Sequence, residues 1–214
     1  MIRRILALIL IFGCTSVAWL ILGATIFSRT DDVDRRLHEQ VASVWGSPQE
    51  QTPPTASYTV LTSKRVQTTL PDGKIAEHTE TVPAEVSLPL NGTDADVNLN
   101  LEYRQKGLLW YSLYKVNFGG AFTFHNTSSN AEAMTFRFKF PAQQAIYDDF
   151  VMSINDIPAS VTNEGGIAVA SASVPAGADV RLRVSYRSQG LDSWYYSFGG
   201  SVEQVRKFRL HMAT

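Results

Sequence analysis

The concentrated chemistry of this 214-residue sequence lies in seven residues: Tyr103, Arg104 and Trp110 in one stretch, and Tyr186, Arg187, Trp194 and Tyr195 in another. Aromatic faces stack on sugars, peptide groups and other rings, and a neighbouring guanidinium adds a planar, charged fork. The two stretches echo each other. VNLNLEYRQKGL, Val97 to Leu108, and VRLRVSYRSQGL, Val180 to Leu191, align without a gap at an offset of 83. A Trp-Tyr pair follows each (Trp110-Tyr111 and Trp194-Tyr195), then Phe-Gly-Gly at Phe118–Gly120 and Phe198–Gly200. The echo predicts two related β units, each with an alternating strand, a tight Gly turn and an aromatic returning strand. The aromatics are candidate interaction residues. The plainer alternative is that they are core and cross-strand pairs, the usual fate of aromatics at this density.

Catalytic chemistry is thinly provided for. His38, His78, His125 and His211 are scattered without metal-ligand spacing, and the sequence holds no Gly-rich phosphate loop and no Gly-x-Ser-x-Gly. Asp148-Asp149 is the notable carboxylate pair, but neighbours on a strand point to opposite faces, which suits a turn or a solvated edge. The expectation is a non-enzymatic chain with no catalytic residues, no cofactor and no metal site. Seventeen of the nineteen Lys and Arg and all twenty Asp and Glu lie after residue 28, a formal charge of −3 for that part. It offers no basic field for nucleic acid.

What must position these residues begins with Ile5 to Phe27, ILALILIFGCTSVAWLILGATIF, which contains no charge. A helix of that length spans roughly 35 Å, against about 30 Å for a hydrocarbon core. Thirteen of its residues are Leu, Ile, Val or Phe, which favours insertion by about 4–8 kcal/mol. The segment reads as a membrane anchor, residues 1–28, with the lipid bilayer as its first partner. A cleaved signal peptide is the main rival reading, but its apolar region would be shorter, and Leu22-Gly23-Ala24 matches a cleavage site poorly. Arg3 and Arg4 before the span are balanced by Arg29, Arg35 and Arg36 after it. The Met-Ile-Arg-Arg start favours a cytoplasmic N-terminus and an extracytoplasmic C-terminal domain. The one cysteine, Cys14, is in the anchor, so the rest has no disulfide and must rely on a packed core.

Residues 29–57 read as a stalk helix and a linker. Thr30 or Asp31 can cap a new helix, and Val33, Leu37, Val41 and Val44 make a narrow apolar stripe. Gly46 and Pro48 end it, and Gln49 to Ser57 with Pro53-Pro54 follows as a short stiff linker. From Tyr58 onward short alternating strands predominate. Turns are expected at Pro71-Asp72-Gly73, Asn91-Gly92, Asn155-Asp156, Gly165-Gly166, Ala176-Gly177 and Gly199-Gly200. Pro83 and Pro89 push their strand towards a sheet edge. Met134, Phe136, Phe138 and Phe140 alternate with Thr135, Arg137 and Lys139, the clearest half-buried strand. The fold expected is mainly β: a transmembrane helix and short stalk helix, then an antiparallel sandwich-like domain of two β units, 58–132 and 133–214.

The anchor, the helix ending in Val44-Trp45-Gly46-Ser47-Pro48-Gln49, and Tyr103-Arg104-Gln105-Lys106-Gly107-Leu108 with Trp110-Tyr111 resemble the CreD-like inner-membrane proteins of bacteria. The match covers roughly residues 1 to 125, with Trp-Gly-x-Pro-Gln its most distinctive piece. The resemblance implies a non-enzymatic role in envelope integrity or stress response at the inner membrane, with an envelope or membrane protein as partner. That family carries further C-terminal transmembrane helices, and this sequence shows no second apolar span. The expectation is an anchored β domain that scaffolds or senses through protein contacts. The alternative is an anchored binding module that takes peptidoglycan, glycan or peptide on its aromatic strands.

Overall fold

The computed structural model describes residues 2–69, 75–106, 109–199 and 205–214. The turn expected at Pro71-Asp72-Gly73, the Gly107-Leu108 part of the echo and Gly200 of the last turn lie outside them. The chain divides into two compact units, Met1–Val44 and Trp45–Thr214.

The first unit is helical. One helix, α1 (Ile2–Trp45), continues without a break through the residues expected to divide into anchor and stalk. No new start forms at Thr30, because its hydroxyl donates back to the Ile26 carbonyl at 2.9 Å instead of capping a fresh first turn. Thr15 and Thr25 do the same to Ile11 and Ile21, at 2.7 and 2.8 Å. The threonine hydroxyls of the apolar stretch are therefore satisfied inside the helix, as a lipid environment requires. The large apolar side chains from Ile5 to Phe27 stand exposed, and the helix is long and apolar enough to cross a membrane.

The second unit is mainly β. Its strands are β1 (Gln49–Gln51), β2 (Thr55–Thr69), β3 (Ile75–Leu88), β4 (Leu90–Lys106), β5 (Leu109–His125), β6 (Glu132–Lys139), β7 (Tyr147–Ile154) and β8 (Ile157–Pro158). They continue with β9 (Thr162–Asn163), β10 (Ile167–Val174), β11 (Asp179–Leu191), β12 (Trp194–Tyr196) and β13 (Lys207–Ala213). A five-stranded sheet has the order β3-β2-β6-β10-β9, and a six-stranded sheet has the order β13-β4-β5-β11-β7-β8. All pairs in them are antiparallel except β13 with β4. Both sheets draw strands from 58–132 and from 133–214.

The core lies between the sheets. Phe136 and Phe138 of β6 are fully buried, meeting Phe124 and Phe118 of β5 at ring-centre distances of 5.8 and 6.3 Å. Arg137 points the other way, as the alternation requires, and its guanidinium bonds Ser57 and Glu85 at 2.7 and 2.8 Å. β3, which carries Pro83, is indeed an edge strand. Asn155 and Asp156 take positive φ angles of 50° and 66°, and Gly165 and Gly166 of 61° and 87°, in the turns expected there.

Two expectations are corrected. Asn91-Gly92 makes no turn: β4 runs through it, with a shift of register between Leu90 and Gly92 that absorbs the extra residue as a bulge. Of the expected linker Gln49 to Ser57, Gln49–Gln51 is strand paired in parallel with β12, and Thr55 to Ser57 already belong to β2, paired with β6.

Candidate interaction site

The structure separates the seven candidate residues. Tyr103, Arg104 and Trp110 lie on the β4–β5 hairpin, while Tyr186, Arg187, Trp194 and Tyr195 lie on β11 and β12. The echoed strands β4 and β11 flank β5 on its two sides, in one sheet. Their Tyr-Arg pairs meet different surroundings, Tyr103 being 69% exposed and Tyr186 only 2%. The expectation of equivalent places in two repeated units therefore fails for these strands. β11 stays buried to its end, where Gln51 bonds Tyr186 and Gly46 and Gln49 pack on Ser188 and Gln189, whereas β4 is exposed beyond Leu99.

That emergence creates an apolar face. Leu101, Tyr103 and Gln105 of β4 stand directly opposite Tyr114, Ser112 and Trp110 of β5, so all six side chains share one face. Tyr114 at its root is buried and donates its hydroxyl to the Ser193 carbonyl at 2.6 Å. Further out, Leu101, Tyr103 and Trp110 are 55%, 69% and 67% exposed. The reverse face is covered: Trp45 meets Tyr111 edge-on at 6.1 Å, and the Arg104 and Lys106 cations lie 5.8 and 6.0 Å from the Trp45 ring. Glu102 accepts from Lys115 at 2.6 Å and from Arg104 at 3.3 Å, which holds its carboxyl below the ordinary range. Arg104 is thus a structural cation, and Tyr103 and Trp110 are the free aromatics.

The second group has mostly structural duties. Tyr186 stacks on Phe118 at 4.9 Å and donates to Oε1 of Gln51 at 2.8 Å; burial pushes its hydroxyl pKa well up. Trp194 is buried against Phe118 at 6.4 Å. Arg187 pairs with Asp149, whose positive φ of 51° marks the irregularity between β7 and β11. Tyr195 is half exposed and donates to Glu50 at 3.0 Å. The Ser197 hydroxyl and the Tyr195 bond lower the Glu50 carboxyl, and the bond to Glu50 raises the Tyr195 phenol.

The Trp-Gly-x-Pro-Gln segment shows why those residues stand together. Gly46 has a φ of 107°, and a Cβ there would collide with the Gln189 carbonyl. Gln49 is fully buried, donating to the Gln189 carbonyl at 3.0 Å and accepting from the Ser188 hydroxyl at 3.0 Å. The buried polar pair Gln49 and Gln51 is a structural feature that sequence reasoning missed. Its signal was two glutamines in alternation, Gln49 and Gln51, which keep one face of a strand.

Of the expected carboxylate pair, Asp149 is engaged by Arg187, and Asp148 stands opposite Arg187 in register. His125 meets Asp179 at 2.8 Å and His211 meets Asp96 at 3.4 Å, on separate strand pairs. Among the described residues no three His, Cys, Asp or Glu side chains gather as a metal site.

No family model and no curated protein matches the chain. A crystal structure of a candidate nutrient binding protein from Legionella pneumophila overlaps 47% of this chain and 39% of its own, at 15% identity and a TM-score of 0.36. The chain thus spans about two fifths of that protein's length, an overlap too partial to define a shared fold.

Proposed function

We propose that this chain is a membrane-anchored, non-enzymatic envelope protein of the bacterial inner membrane. Its extracytoplasmic β domain scaffolds or senses through protein contacts made by the outer hairpin face of β4 and β5. The observation that carries this reading is the exposure of Leu101, Tyr103 and Trp110 on one face. Trp and Tyr anchor protein interfaces because they bring large rigid area at small entropy cost. The apolar helix and the resemblance to CreD-like proteins support the membrane setting.

Site-specific photo-cross-linking in intact cells tests the contact. A photoreactive residue at position 103 or 110 should give discrete protein adducts, lost on Leu101→Asp, while one at exposed Thr62 should not. Adducts equal at all three positions, or at none, overturn the reading. A periplasm-only reporter fused after Thr214 should be active; an active cytoplasm-only reporter overturns the orientation. The same exposed aromatics also suit stacking on a glycan or peptide. Binding to purified peptidoglycan that Trp110→Ala removes, without protein adducts, would move the assignment to that alternative.

A further inference from the structure

We propose that the outer face of the six-stranded sheet carries an anion-binding trough, floored by Gly92 and Gly119, that takes a ligand bearing phosphate groups. The register lays out its walls. Lys207, Gly92, Thr123 and Arg181 form one row across β13, β4, β5 and β11. Arg209, Asp94, Ala121 and Arg183 form the next, and His211, Asp96, Gly119 and Ser185 the one after. Over these rows lie two open depressions of about 420 and 660 Å³ that share Asp94, Ala121 and Arg181. Those volumes fall within the range of small-molecule sites.

An antiparallel sheet is commonly polar on its solvent side, so polarity alone means little. Two independent observations go further. The first is charge. Four cations stand in these rows, Arg181, Arg183, Lys207 and Arg209, against two carboxylates, Asp94 and Asp96. Asp94 is occupied by the Arg209 fork, and Arg183 by Asp156 at 3.1 Å. Arg181 and Lys207 have no carboxylate within ion-pair distance among the described residues, though Arg181 is attracted to Asp94 from farther off. A cluster with unspent positive charge attracts anions, and guanidinium forks match phosphate oxygens in pairs.

The second observation is glycine. Glycine inside a strand weakens it and often marks a place where something approaches closely. Gly120 is explained by packing, since a Cβ there would come within 2.7 Å of the Phe122 ring. Gly119 is not: its φ is not left-handed, and an added Cβ meets nothing within 4 Å. At Gly92 the added Cβ would make only ordinary contacts, at 3.8 Å. Both glycines keep the floor bare between the charged walls; Gly92 also sits at the bulge of β4, so it is Gly119 that the fold itself does not require.

The test uses the full chain in phosphatidylcholine nanodiscs, titrated calorimetrically with pyrophosphate and floated with phosphatidylglycerol or phosphatidylcholine vesicles. Saturable pyrophosphate binding without flotation assigns a soluble phosphate ligand, and flotation on phosphatidylglycerol alone assigns a lipid headgroup. The double variant Arg181→Ala/Lys207→Ala should weaken the observed binding by at least about tenfold. Gly119→Val should abolish it while leaving the melting temperature unchanged or higher, a combination that mere structural damage cannot produce. Arg65→Ala, exposed on β2, should bind as the parent does. The proposal is overturned if neither probe binds, if Gly119→Val binds normally, or if Arg65→Ala loses as much as the double variant.

Discussion

The Tyr186 hydroxyl donates to Oε1 of Gln51 at 2.8 Å across 135 residues of sequence, and both side chains are buried. With Gln49 on the Gln189 carbonyl and the Ser188 hydroxyl, this bond ties the segment that enters the β domain to the end of β11. The distinctive glutamine motif is thus a latch. Four predictions test the architecture.

Gln51→Leu should destabilise the domain by about 1–3 kcal/mol, because it strands a buried hydroxyl. Adding Tyr186→Phe removes the orphan and should recover part of the loss, giving a favourable coupling in a double-mutant cycle. Urea unfolding of the full chain in detergent, followed by near-ultraviolet circular dichroism, measures both. Simple additivity would show that the bond does not matter.

Gly46→Ala and Gly177→Ala separate conformational strain from collision. Both glycines have positive φ, 107° and 65°, but a Cβ at Gly177 meets open space while one at Gly46 strikes the Gln189 carbonyl. Gly177→Ala should cost about 1–2 kcal/mol, the ordinary penalty of the left-handed region. Gly46→Ala should cost clearly more, and equal losses would show the close approach at Gly46 to be soft.

Phe138→Ala should cost about 3–5 kcal/mol, since the ring is fully buried among Phe118, Phe140, Phe150 and Tyr186. Arg137→Ala, on the opposite face, should cost less than about 1 kcal/mol despite its bonds to Ser57 and Glu85, because that pair is open to solvent. The same unfolding measurement ranks them, and a reversed order would place the strand one residue out of register.

Asp94 should titrate below its ordinary value of 3.8, because the Arg209 fork donates to its carboxylate. A depressed native pKa stabilises the fold at pH values above the unfolded value, and that contribution is lost as the pH falls through the native one. Arg209→Gln should therefore move the Asp94 carboxyl titration upward, read by carbon NMR, and reduce stability at neutral pH relative to strongly acid pH. An unmoved midpoint would refute the pairing.

The sequence by itself determined what is local and periodic. Twenty-three uncharged residues specify a membrane-length helix whatever follows, because length and hydropathy need no partner. The alternation of Phe136 and Phe138 with Arg137 specified which face is buried, because a strand's side chains alternate strictly. Pro83 forecast an edge strand, since proline cannot donate to a ladder. Pairing between distant segments was not local, and only the tertiary structure decided it. Tyr103 and Tyr186 occupy matching places in an echoed sequence, yet one is exposed and the other buried. The difference lies in what packs on the end of each strand, Gly46, Gln49 and Gln51 closing over β11, which no property of either dodecamer encodes. The Gly92–Gly119 trough likewise exists because β4 and β5 pair in one register, bringing bare positions 27 residues apart onto one face.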